Sequence, residues 1–323
     1  MPAINTIKKF ITGLSVRQEY VCLDVARYQN PLSVLLSGGG SISKIDVTDS
    51  HLFLGYKPVI IGVPFPVNDS NLDIVRGHAR IKLSFIPDES ISPNAIASLE
   101  LEKIGEKVLD ENVLLLYEAK FGQHVFLNSL QQIINRWKEV RKPAPSADIT
   151  LKGNLYDQVR VAYSVPRVIS IITITDGYSM NMFPTDLHGP VGKGFYCSSL
   201  RIGGKANEQV QKIKKIVLSE VTASSFAETY HMGKNHMRDL QDSDKFQIDQ
   251  NKSECYKFPL PEHVFTYREL RQFDFLDHGI HRIHFYEVVN VWAGVENSKL
   301  AHIHQYFAQW RLNNRLPTNL LLR

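Results

Sequence analysis

Most of the chain consists of short strand-period runs punctuated by turn dipeptides. Over residues 20–36 (YVCLDVARYQNPLSVLL) apolar and polar positions alternate and then merge into an apolar run, which predicts strands. Gly38-Gly39-Gly40 separates this run from SISKIDV, which alternates again. Three glycines after a strand can cradle a phosphate. No GK[ST] follows them, however, and the next element is another strand, so a hairpin turn is predicted. Residues 164–210 have the same plan. An apolar run (PRVISIITIT) reaches the turn dipeptide Asp176-Gly177, and a polar-aromatic segment leads into a second strand over 194–200. After Gly203-Gly204 a lysine-rich, helix-period segment begins. In HVFLNSLQQIINRWKEVRK, Val125, Leu130, Ile133, Ile134 and Trp137 share one helical face. Strands are also expected over 149–162 and in HRIHFYEVVNVWAGV, while HIHQYFAQW is aromatic and amphipathic and LPTNLLLR forms a terminal arm.

The two stretches echo each other. Pro31 and Pro166, Thr48-Asp49-Ser50-His51 and Thr185-Asp186-Leu187-His188, Asn71 and Asn207, and Ile81-Lys82-Leu83-Ser84 and Ile216-Val217-Leu218-Ser219 recur in order at an offset of about 135 residues. Further on, LLLYEA at Leu114 resembles IHFYEV at Ile283 at about 169, so the second copy carries roughly thirty extra residues, placed near 231–259. The expected organisation is an N-terminal arm (1–19), a first copy with a trailing helix (20–142), a linker (143–147) and a second copy (148–323). A string of short strands with one inserted helix suits antiparallel barrels better than a regularly alternating α/β fold. The predicted class is therefore mainly β with a few helices, a tandem duplication of two barrels.

Composition narrows the function. Hydrophobic residues make up 43% of the 323 positions and charged residues 22%, enough for a large core. The net charge of +4 forms no basic tract, so nucleic acid is not an expected partner. No run approaches the roughly 18 apolar residues of a membrane span, and no signal peptide is evident. Cys22, Cys197 and Cys255 are odd in number and lack CxxC spacing, which argues against a disulfide framework or a thiolate metal site and for a cytoplasmic setting.

Residues 164–289 resemble the flavin reductase-like, FMN-binding split β-barrel family. The resemblance rests on Pro166-Arg167 leading an apolar strand, the Asp176-Gly177 hairpin, Asn181 in the next strand, the Lys205-x-Asn207-x-x-Val210 helix start, and the closing strand HRIHFYEVV. The first copy resembles a degenerate version of the same fold. The resemblance implies FMN at the barrel edge, usually at a dimer interface, which a tandem duplication would supply within one chain as a pseudo-dimer; a further homodimer is also open. It implies cofactor contacts from Asn181, Thr185, Ser198, Ser199, Lys205 and Asn207, with the helix start offering N–H donors to a phosphate. The implied activity is NAD(P)H:FMN reduction, with a transiently bound nicotinamide passing hydride to flavin N5.

One segment departs from that pattern. Where the family shows small hydroxyl residues, this chain has Pro184-Thr185-Asp186-Leu187-His188, and an aspartate repels a phosphate. The repeated Thr-Asp-x-His reads equally as a structural knot, with aspartate capping a turn and histidine bonded to it. Two further functions therefore stand beside the reductase. One is a non-catalytic ligand- or protein-binding module on the duplicated scaffold. The other is a haem-binding barrel using one of the twelve histidines. On strands, His281 and His284 face opposite sides, whereas His302 and His304 share one. His231 and His236 are expected in the excursion, Cys197 as a buried inert thiol, and no catalytic dyad or metal site is predicted.

Overall fold

In the computed structural model the described residues are 11–16, 18–25, 30–38, 42–141, 151–295, 299–317 and 321–322. The expected linker, Gly39, Gly40 and most of the N-terminal arm lie outside them. Among the described residues strands account for 49% and helices for 22%, the mainly-β class expected. After β1 (Tyr20–Asp24), the first unit comprises β2 (Leu32–Gly38), β3 (Ile42–Asp46), β4 (Leu52–Tyr56), β5 (Val59–Pro66), the short helix α1 (Leu72–Arg76), β6 (Arg80–Pro87), β7 (Ala97–Leu109) and β8 (Asn112–His124). Helices α2 (Ser129–Arg141) and α3 (Leu155–Ala162) connect it to the second unit. That unit comprises β9 (Arg167–Val168), β10 (Ser170–Thr175), β11 (Met180–Thr185), β12 (His188–Val191), β13 (Phe195–Arg201), α4 (Lys205–Ile213) and β14 (Lys215–Val221). An excursion then carries α5 (Phe226–His231), a 3-10 turn (Met232–Met237), β15 (Ile248–Lys252) and β16 (Pro259–Pro261). The long hairpin β17 (Val264–His278) and β18 (His281–Ala293) closes the unit.

Two seven-stranded antiparallel sheets result, and their strand orders are the same. The first runs β3-β2-β6-β7-β8-β5-β4 and the second β11-β10-β14-β17-β18-β13-β12, each element of one having its counterpart in the other. The glycine-rich and Asp176-Gly177 segments both join hairpin partners, β2 to β3 and β10 to β11. In the second turn Asp176 Oδ1 accepts from Tyr178 and Ser179 N–H at 3.0 and 2.8 Å, and Gly177 takes φ +99°. The extra residues of the second unit lie between β14 and β17, and part of them packs on the outer sheet face, where Phe258 and Leu260 cover Val217 and Tyr267.

The two units meet face to face. Strand alternation turns Ile283 and Phe285 of β18 away from their own barrel interior and onto Leu52, Leu54, Ile60, Leu114 and Leu116 of the first unit. The contact is reciprocal at its rims. The β4–β5 turn lies under the β17–β18 tip, where Ile280 N–H donates to Lys57 O at 3.2 Å. A Cβ on Gly279, which has φ +60°, would stand 2.6 Å from that carbonyl. At the other rim the β12–β13 turn meets the β7–β8 tip, and a Cβ on Gly192 would overlap Asn112. A Lys107–Asp274 ion pair and a hydrogen bond between His278 and Glu118 flank the seam.

Three expectations change. Residues 155–162, expected as strand, form α3, whose Leu155, Val159 and Ala162, at helical spacing, pack on the first core. Strand β1 does not join the first sheet. It pairs with β19 (Leu300–His304) and β20 (Leu321–Leu322) in a small sheet of order β20-β1-β19-β9, followed in sequence by α6 (Gln305–Asn313). The apolar face of α2 is not its buried side: Leu130, Ile133 and Trp137 are exposed, and Asn135 is buried, donating to Thr12 O at 2.7 Å.

Candidate functional site

The site expected from the sequence lies where β11, β13 and the start of α4 approach one another. On β11, alternation sends Phe183 into the core with Ile172 and Tyr286, and Asn181 and Thr185 share its side of the strand. Asn181 is fully buried. Its Nδ2 donates to Gln209 Oε1 (2.9 Å) and Asn235 O (3.0 Å). The Thr185 Oγ1 accepts from Leu187 N–H at 3.4 Å. On β13, successive serines face opposite sides. Ser198 bonds Tyr286 OH inside the barrel at 3.0 Å, and Ser199 faces the first unit. There His281 Nε2 accepts from Tyr56 N–H (3.3 Å), which leaves Nδ1 to donate to Ser199 Oγ at 3.2 Å. Burial, with Arg201 nearby, pushes His281 down to about 4, so it stays neutral.

On α4, Asn207 is also committed to the chain. It accepts from His284 Nε2 at 3.0 Å and donates to Ile202 O at 3.1 Å. Burial pushes His284 down to about 3. His281 and His284 thus point to opposite sides of β18, as strand spacing predicts. Lys205, by contrast, is half-exposed and pairs with both Glu208 and Asp239 at 3.3 Å. The six residues therefore fall into separate hydrogen-bonded pairs, with Asn181 and Asn207 on neighbouring walls and Lys205 at the rim. Asn207→Ala should leave the buried His284 donor without its acceptor. The expected cost is about 1–3 kcal/mol in chemical denaturation, and a Leu substitution at the same site should cost no less.

What fills the space between those walls is the 3-10 turn of the excursion. Asn235 Nδ2 donates to Met182 O at 2.9 Å and His236 Nε2 to Pro184 O at 2.6 Å, both on β11. The His236 ring packs 4.8 Å from that of Phe183. From α4, Gln209 Nε2 donates to Arg238 O at 2.8 Å, and a Cβ on Gly204 would lie 3.5 Å from His236 O. The turn is stitched to both sides of the expected phosphate position. Together with the two carboxylates on Lys205, this means the residues present do not fit a phosphate dianion there. The excursion was expected on the surface, because its polar composition hid the amide of Asn235 and the imidazole of His236, which bind backbone carbonyls.

The Thr-Asp-x-His segment is a structural joint, but not the one its spacing suggests. Asp186 accepts from Tyr163 OH and from His302 Nδ1, each at 2.9 Å, and His302 Nε2 donates to Tyr230 OH at 2.6 Å. Burial alone would lower the His302 pKa, but the hydrogen bonds to Asp186 and Cys22 outweigh it and raise it to about 9. The Asp186 carboxyl is held below its usual range, its bonds to His302 and Tyr163 overcoming burial. His188 bonds elsewhere, to Tyr196 OH (2.8 Å) and Val168 O (3.1 Å). In the first unit His51 bonds Val47 O at 2.8 Å and accepts from Arg167 at 2.9 Å, while Asp49 is exposed. The feature common to both copies is a histidine anchored to backbone, not an aspartate–histidine pair. A charged imidazolium at neutral pH is no general base, so the Asp186–His302 pair works as a charged strut joining β11–β12, α5, β19 and the end of α3. His304, two residues on, accepts from Tyr306 N–H at 3.1 Å as the cap of α6 and does not converge with His302 on a ligand. Cys197 is buried, its thiol pushed up to about 12 by burial, as expected of an inert cysteine.

No protein-family model matches the chain, and no curated protein matches it. Solved structures that its fold resembles are flavin reductases and FMN-binding proteins. The NADH:FAD oxidoreductase of Streptomyces globisporus shares 14% identity, with a TM-score of 0.41, over 49% of this chain and 94% of that one. An FMN-binding protein from Thermus thermophilus shares 16%, TM-score 0.38, over 47% and 80%. The flavin reductase component of a bacterial two-component tryptophan halogenase shares 12%, TM-score 0.41, over 47% and 94%.

Proposed function

We propose that the chain is a binding module on a duplicated split-barrel scaffold, and that it does not hold FMN at the phosphate position expected from the sequence. The units are residues 20–142 and 148–323 about the linker at 143–147, docked as an intramolecular pseudo-dimer. The identical strand orders and the reciprocal turn-to-tip contacts support that arrangement. The observation that carries the functional reading is the closure of the cleft by Asn235 and His236, whose side chains bond the β11 carbonyls. The three cysteines are unpaired, in keeping with a reducing, cytoplasmic setting.

A second reading keeps flavin as the ligand, FMN or FAD, with NAD(P)H as a transient donor. The seam between the units favours it: a groove of about 940 Å³ there is lined by Val67, Asn68, Asp110 and Asn112 of one unit and Lys193 and Phe195 of the other. Such an inter-unit edge is where the sequence resemblance places the cofactor. The groove holds Asp110 and Glu111 against Lys193 alone, which disfavours a phosphate dianion and ranks this reading second.

Absorption spectroscopy separates the two. Purified protein should be colourless and should leave the spectrum of FMN unchanged at concentrations on the order of 100 µM. Stoichiometric flavin binding that is abolished by Lys205→Ala with Asn207→Ala would overturn the first reading. Binding abolished instead by Lys193→Ala would establish the second.

A further inference from the structure

The two ends of the excursion meet on the outer face of the second unit. Glu228 of α5 and Glu262 and His263 of the β16–β17 turn each bring one ligating atom, all within 4.8 Å of one another. Gln247 ties the group together. Its carbonyl accepts from Glu262 N–H at 3.2 Å, and its amide nitrogen, turned toward α5, donates to the two Glu228 oxygens at 2.8 and 3.0 Å. Among the described residues neither carboxylate has a lysine or arginine partner; Lys245, which is nearby, pairs with Asp244. Two carboxylates converging without a cation repel each other.

Behind this group lies a cavity of about 450 Å³, bordered by Glu228 and Glu262 and by Ile171, Thr229, Met232 and Phe246. Thr229 is 1% exposed, and its hydroxyl has no hydrogen-bond partner. A buried hydroxyl of this kind calls for a bound water or ligand in the cavity it lines.

We propose that Glu228, Glu262 and His263 bind a divalent transition-metal ion, with a fourth coordination position open to this cavity. Two carboxylates and one imidazole are a donor set suited to zinc, whereas magnesium prefers an all-oxygen octahedron. Zinc–oxygen and zinc–nitrogen bonds of about 2.0–2.2 Å put tetrahedral donors roughly 3.5 Å apart. The three side chains are exposed, so rotamer changes can close the remaining distance of about an ångström. Three protein ligands leave a position for water or a small anionic ligand. The Gln247 amide on Glu228 then fixes the orientation of one ligand. Bound metal would also staple the start of the excursion to its end.

Zinc chloride titrated calorimetrically into the full chain, with magnesium chloride as the control, tests this. One-to-one zinc binding in the micromolar range is expected, with Glu228→Gln and Glu262→Gln each weakening it at least about tenfold. Zinc should raise the melting temperature of the native chain and leave that of the double variant unchanged. Both substitutions are at exposed positions, so circular dichroism should confirm that the variants are folded. The proposal falls if the native chain binds no zinc at about 100 µM. It falls equally if the double variant binds zinc as tightly as the native chain, which would place the ion on other histidines or cysteines, or if magnesium binds as well as zinc.

Discussion

Asp186→Asn should destabilise the protein by up to about 3 kcal/mol at pH 6, and the loss should shrink as pH rises. The physical basis is the His302 pKa, raised from 6.5 to about 9 by its bonds to Asp186 and Cys22 against the opposing effect of burial. A shift of that size corresponds to roughly 3 kcal/mol of preference for the charged imidazole in the folded state. Because the folded pKa lies above the unfolded one, this stabilisation is complete below pH 6.5 and disappears as pH climbs through 9. Asp186 has the opposite sign. Its folded pKa is depressed below 3.8, so its contribution is present above that value and is lost on acidification. Native protein should therefore be most stable between about pH 4 and 6.5 as far as this pair is concerned. Urea denaturation at intervals from pH 6 to 9 reads the effect directly. Parallel curves for native and Asp186→Asn protein across that range would mean that the pair is not a strut. An NMR titration of His302 should show its pKa returning toward the ordinary value in the variant.

The other large effect belongs to the seam. Phe285→Ala should cost about 3–5 kcal/mol, because the ring is 1% exposed and sits among Leu114, Leu116, Ile60 and Ile283 with no room for solvent. The residue lies on the face of β18 turned away from its own barrel, so the loss falls on the contact between units. Guanidinium unfolding followed by tryptophan fluorescence and by circular dichroism should coincide for the native chain. In the variant the midpoint should drop sharply, and separation of the two probes would show the units unfolding in sequence. A shift of under about 1 kcal/mol would mean that the seam closes around the smaller side chain.

The strand plan was legible because strand periodicity and turn chemistry are local. Asp176-Gly177 makes the hairpin its dipeptide predicts, and the echo of Pro31–Ser84 in Pro166–Ser219 has its counterpart in two sheets of equal order. The opposite facing of His281 and His284 followed from a spacing of three on a strand. Local signals also misled. Residues 155–162 were expected as strand, but burial against the first core made helix the better solution, a case of tertiary context deciding the local structure. The six expected cofactor residues were placed on the right elements, yet their partners were not visible. Asn181 is engaged by Asn235, 54 positions away, and Ser199 by His281, 82 away. Nothing in the spacing of Thr-Asp-x-His indicated that its aspartate would reach His302 across 116 positions.

By itself the sequence determined the mainly-β class, the two successive strand sets, the hairpin positions and the approximate site of the extra segment, all of which rest on interactions between residues close along the chain. The tertiary structure alone decided the rest. It set β1 beside β19, turned one face of β18 into the seam, and closed the expected phosphate cleft with Asn235 and His236. It also gathered Glu228, Glu262 and His263 at the mouth of a cavity. The reason is physical. A buried polar group must find a hydrogen-bond partner wherever folding offers one, and the partner's identity depends on which distant segments packing brings within about 3 Å.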